Sequence, residues 1–142
     1  MSAPLTIGVL LRHAETYLDG DRSTSPDAAF AAALLTRESL ELALVAWARA
    51  SIGISLKGVN GRAQLAVVEE HLRDAALGRR ARFVWNALSA TLHHGPAGAD
   101  PATVRRLAVE TEAVVGGLAA DVAERRSSST RENARANDQD RT

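Results

Sequence analysis

A chain of 142 residues, 46% hydrophobic and 24% charged, has room for one core and the composition of a globular domain. Its 17 Lys and Arg balance 17 Asp and Glu, so no net field draws the whole molecule to nucleic acid or an acidic membrane. Cysteine is absent, which excludes a disulfide scaffold and a thiolate metal site.

Alanine dominates the apolar set and aromatics are only 4%, so the core has to be thin and closely approached, which argues for helices over sheet. Lys57 is the only lysine; an Arg and Ala bias of this kind marks a GC-rich coding sequence before it marks an anion site. The first residues carry no basic cluster, and the apolar run from Ile7 to Leu11 stops at Arg12, so no signal peptide is expected. No stretch approaches the roughly 18 uninterrupted apolar residues of a membrane span. The expected location is the cytoplasm, with no membrane partner.

Helix one is expected over 6–18, with Ile7, Leu10, Leu11, Ala14, Tyr17 and Leu18 as its apolar stripe and Asp19-Gly20-Asp21 as its stop. Helix two begins at the cap Ser25, followed by Pro26 and Asp27, and runs to about residue 50 through Phe30, Leu34, Leu40, Leu44 and Trp47. Residues 52–61 carry three glycines and predict a loop. Helix three follows Asn60-Gly61 with Leu65, Val68 and Leu72 on one side, ending near Gly78. Helix four covers 80–93 and is closed by Gly95-Pro96. Asp100-Pro101 opens helix five, where Val104, Leu107, Thr111, Val114, Leu118 and Val122 recur at helical spacing. Gly116-Gly117 interrupts it, for close contact with a neighbour or for a kink. From Arg126 onward no apolar residue exceeds Ala, and such a segment buries too little to offset its ordering entropy. The expectation is therefore an all-α, up-and-down bundle of about five helices over 1–125, with a disordered polar tail over 126–142.

The most informative stretch is 82–95. At 100° per residue, Arg82, Asn86, Ser89 and His93 fall within an arc of about 60° on helix four. The rest of the circumference is almost wholly apolar, including Phe83, Val84, Trp85, Leu88 and Leu92. That row is either the wet edge of a central helix or a polar strip facing a cleft or a symmetry mate. Arg supplies fork-shaped donors, His a proton that moves near neutral pH, and Asn and Ser orient them. Those are components of a site for a phosphate-bearing ligand or of a polar dimer seam.

His93 and His94 are adjacent and point about 100° apart, so no metal and no cofactor is expected there. On helix two, Arg37 and Glu41 are four apart and can pair; in the functional version, Arg37 reaches across to the helix-four row. Neither a nucleophile elbow nor a phosphate loop is present. Trp47 and Trp85 each sit in apolar stretches and are expected in the core.

Arg37, Leu40 and Glu41 on an early long helix, then Arg62-Ala-Gln-Leu65, then Trp85-Asn-Ala-Leu-Ser89 and His93-His94-Gly95, form a pattern. It resembles the HEPN-like helical domains of bacterial conflict and defence systems. Within these it is most similar to a bacterial group with a Trp-x-x-Leu-Ser-x-x-x-His-His signature, over residues 30–120. The resemblance implies a homodimeric bundle with the end of helix four near the two-fold axis. Active HEPN ribonucleases pair an Arg with a His four to six intervening residues later, and cleave RNA without metal. Here the three positions that would serve His93 hold Asn86, Ala87 and Leu88, and the nearest upstream arginine is Arg82. Loss of one such electrostatic contact costs about 10²–10³ in rate.

The resemblance thus implies a binding or accessory module of a defence or toxin–antitoxin type system, with an RNA or protein partner. Two alternatives stand beside it. One is a metal-independent endoribonuclease using His93 with Arg82 or Arg37. The other is a regulatory bundle in which the same row, Arg82, Asn86, Ser89 and His93, grips an anion or small ligand; Arg37, Asn86, Ser89 and His94 are the candidate contacts to a ligand or RNA.

Overall fold

Side-chain oxygens take up the loose amides that open four of the helices in a computed structural model of the chain, which describes residues 3–19 and 25–141, with side chains from residue 6. Ser25 Oγ accepts from Ala28 N at 3.4 Å and Asn60 Oδ1 from Ala63 N at 2.9 Å. Asp74 Oδ1 accepts from Ala76 N at 2.9 Å, and Asp100 Oδ2 from Thr103 N at 3.2 Å. The Thr103 hydroxyl also donates to Asp100, and these bonds hold that carboxyl below its ordinary pKa. The helices are α1 (Ala3–Leu18), α2 (Pro26–Ile52), α3 (Gly61–His71), α4 (Ala75–His93) and α5 (Pro101–Gln139), with one 3-10 turn at Pro96–Gly98. No strand occurs among the described residues, so the chain is all-α.

Cross-helix contacts give the directions. Arg80 meets Glu110 and Leu77 meets Gly117, so α4 and α5 are antiparallel. Arg105 donates to the Leu18 carbonyl, and Glu15 hydrogen-bonds Glu112, so α1 and α5 are antiparallel too. Helix α3 departs from simple alternation. Its first residue, Gly61, lies against Glu41 and Trp85, while the carbonyl of its last, His71, accepts from Arg125, whose guanidinium sits over Trp47. It therefore runs alongside α2 in the same direction, and residues 53–60 carry the chain back to allow it. Gly53 makes the reversal possible at φ 67°, the left-handed region where a side chain is strained.

The core gathers Leu40, Leu44, Trp47, Leu65, Val84, Leu88, Val104 and Val114 around buried Ala32, Ala33, Ala48 and Ala81. The small residues let helices approach closely. Buried hydroxyls are satisfied locally: Thr36 donates to the Ala32 carbonyl at 2.7 Å and Thr111 to that of Leu107 at 2.8 Å.

Three expectations are corrected. Helix four starts five residues early, at Ala75, because Asp74 caps it; Gly78 lies inside α4, where an added Cβ would come within 3.2 Å of Glu69 Cγ. Nor does the apolar circumference of α4 all turn into the core, as a helix buried on most sides would require, since Phe83 is 66% exposed. Finally, 126–139 is not disordered but continues α5 as an exposed helix. Burial is absent there, yet extension from an anchored helix carries no nucleation cost, and Arg, Glu and Ala support propagation without any Gly or Pro. Of the two reasons offered for Gly116-Gly117, close contact holds at Gly117: α5 runs through unbroken, and Gly117 admits Leu77, whose Cδ1 lies 2.8 Å from where a Cβ would be. The stop assigned to Asp19-Gly20-Asp21 falls largely outside the described residues.

On the α1–α5 seam, Glu112 is held above the usual carboxyl value of 4.5, by a hydrogen bond with Glu15 first, then partial burial and Glu15's charge. Asp19 and Arg105 line the same hollow. The folded state therefore keeps a proton that the unfolded chain releases. That contribution is complete below the unfolded value and is lost as pH rises through the folded one. Glu112→Gln is expected to stabilise the fold at pH 7, by no more than about half a kcal/mol for so exposed a pair. Thermal melts across pH should show the advantage vanishing below about pH 4; an advantage independent of pH would contradict it.

Candidate functional site on helix α4

Capping by Asp74 fixes the phase of α4, and with it the four-residue row read from the sequence. The four side chains of the row are not brought together. Arg82 turns toward α3, donating from Nε to Glu69 Oε1 at 2.7 Å and from Nη2 to Oε2 at 2.5 Å. This two-pronged pairing raises the guanidinium's pKa, through the hydrogen bond first and the charge second. Eleven residues separate it from His93, a rise of about 16 Å along the axis. Asn86 is exposed and makes no hydrogen bond among the described residues. His93 closes the helix in solvent, its ring edge-on to that of His94 at 5.8 Å. Ser89 turns the other way, its Oγ enclosed and without a partner.

The α2 pair reaches α4 by a route the sequence did not indicate. Trp85 donates from Nε1 to Glu41 Oε1 at 3.0 Å, and Arg37 Nε stands 3.9 Å from the same oxygen. Glu41 thus bridges α2 to α4 through the tryptophan, while Arg37 keeps a third of its side chain in solvent. Trp85 is half-buried and Trp47 fully buried. Among the described residues no three His, Cys, Asp or Glu side chains converge as metal ligands would.

No family model, curated protein or solved structure matches the chain. What the α4 surface offers chemically must be read from its own side chains.

Beside the row lies a feature the sequence reading missed. Phe83 at 66% and Val109 at 60% exposure flank a shallow hollow of about 670 Å³ between α4 and α5, with Ala87, Leu107 and Arg106 on its walls. Arg80 and Glu110 pair across its edge at 3.1 Å. A signal was available for Val109, which stands off the stripe of Val104, Leu107, Thr111 and Val114. None was available for Phe83, whose neighbours Val84 and Trp85 do turn inward. The outer face of α4 can therefore bury apolar area against another surface, with His93 and Asn86 alongside. It brings no arginine of its own helix near His93, and among the described residues no helix is long and apolar enough to cross a membrane.

Proposed function

We propose that the chain is a HEPN-like, homodimeric binding module without nuclease chemistry, an accessory piece of a bacterial defence or toxin–antitoxin type system. The observation that carries this reading is the outer face of α4, which presents Phe83 as an aromatic anchor and no guanidinium of its own helix within two turns of His93. Aromatic side chains dominate interface energetics when a partner encloses them. A knob beside a hollow suits isologous pairing, in which the same patch serves both copies. The Arg80–Glu110 edge supplies both signs of charge for such a pair.

The missing clamp weighs against the ribonuclease alternative. Arg82 is occupied by Glu69, Arg37 stands beside Glu41, and the neutral Asn86 occupies a position where an active enzyme has its cation. Incubating the purified protein with RNA in EDTA should leave the RNA intact. Cleavage by the wild type that disappears in His93→Ala would overturn the non-catalytic reading.

A further inference from the structure

On a different face of α5, a groove of about 480 Å³ opens between α1, α2 and α5. That size lies in the range of roughly 300–1,000 Å³ typical of small-molecule sites. Val122 lies about 140° around α5 from Val109, so the groove is separate from the α4–α5 hollow and independent of the function proposed above. Leu11, Val115 and Val122 are only partly buried and face into it, with Ile7 and Trp47 behind them.

Small residues keep the groove open. Gly8, Ala46 and Ala119 line it, and a Cβ on Gly8 would meet nothing within 4 Å, so no neighbouring helix demands a glycine there. A glycine inside a helix weakens it, and here it leaves space and nothing else. The Trp47 wall is fixed: Nε1 donates to Asp121 Oδ2 at 2.7 Å, and the Arg125 guanidinium lies 5.3 Å from the ring centre. Arg125 is in turn bonded to Asp121 and to the His71 carbonyl, each at 2.8 Å.

The next residue differs. Arg126 lines the mouth of the groove and, among the described residues, its side chain has no ion pair or hydrogen bond. Arg126 also borders a second, open hollow with Ser127, Thr130 and Arg131, whose Nε donates to the Ser127 carbonyl at 3.3 Å. Among the described residues no carboxylate lines either space. An apolar trough therefore ends at the Arg126 guanidinium.

We propose that this groove binds a free single-chain anionic amphiphile, an aliphatic carboxylate whose tail lies between α1, α2 and α5 and whose head meets Arg126. The tail leaves water along the half-buried aliphatic wall, and the fork of Arg126 suits a carboxylate. The full chain is titrated by calorimetry with decanoate, kept below its micelle concentration, and with decanol as the uncharged probe of equal length. Decanoate should bind about tenfold more tightly than decanol, the usual scale for one charge-assisted hydrogen bond. Arg126→Ala, on an exposed surface where folding is not at stake, should erase that preference and leave decanol binding unchanged. Ala46→Phe, with helicity checked by circular dichroism, should abolish binding of both. The proposal is overturned by equal affinity of the wild type for the two probes, by binding of neither, or by a preference that survives Arg126→Ala. Capture on anionic phospholipid vesicles without binding of decanoate would overturn it as well, as would a groove closed by a second copy, seen as a dimer that Ala46→Phe dissociates.

Discussion

Trp47→Ala is expected to lower the free energy of unfolding by about 3–5 kcal/mol. The indole is 1% exposed and is the largest fully buried side chain of the core, where it holds α2 against α5. Its removal opens a cavity that alanine-rich surroundings have few long side chains to fill. It also leaves Asp121 without the 2.7 Å bond from Nε1, and Arg125 without the ring beneath it. Trp47→Phe separates these effects. Most of the apolar volume stays and Arg125 still pairs with Asp121, so a loss of about 1–2 kcal/mol is expected. Urea melts of both variants measure the difference, and the phenylalanine form keeps it measurable should the alanine form fail to fold. A loss below about 1 kcal/mol in Trp47→Ala would mean that the α2–α5 packing is not what holds the bundle.

Gly61→Ala should also destabilise, against the usual sense of a glycine-to-alanine change in a helix. Alanine ordinarily gains about 1 kcal/mol there. At this position the new methyl would sit 2.5 Å from Trp85 Nε1 and 2.7 Å from Glu41 Oε1, on top of the hydrogen bond that joins α4 to α2. A ring and the oxygen it is bonded to cannot yield without breaking that bond, so a net loss of about 1–3 kcal/mol is expected. Thermal melts give the sign, and tryptophan emission reports whether Trp85 has moved. A stabilised variant would contradict the close approach of α3 to the Trp85–Glu41 bridge.

Helix starts were legible where the cap and the turn residue agree, as at Ser25-Pro26 and Asp100-Pro101, because capping is a local hydrogen bond. Asp74 was passed over because Gly78 four residues later imitates a helix end; only the packing of Glu69 explains that glycine. The helical path beyond Arg126 has no signature in burial, because propagation from an anchored helix requires only propensity. The pairing of Arg37 with Glu41 follows from four-residue spacing. Its extension to Trp85, 44 residues away, and the capture of Arg82 by Glu69, 13 away, depend on how helices dock, which no local pattern encodes. The alanines announced closely packed helices, and in the core Ala32, Ala33, Ala48 and Ala81 are buried accordingly. Alongside Gly8 the same small side chains leave a groove instead.

The central claim is that the outer face of α4 joins two copies of the chain. The most direct measurement is the solution mass by sizing chromatography with light scattering at tens of micromolar, for the wild type and for Phe83→Asp. The proposed module should run as a dimer that the exposed Phe83→Asp change converts to a folded monomer. A wild-type monomer, or a dimer indifferent to that charge, would contradict it.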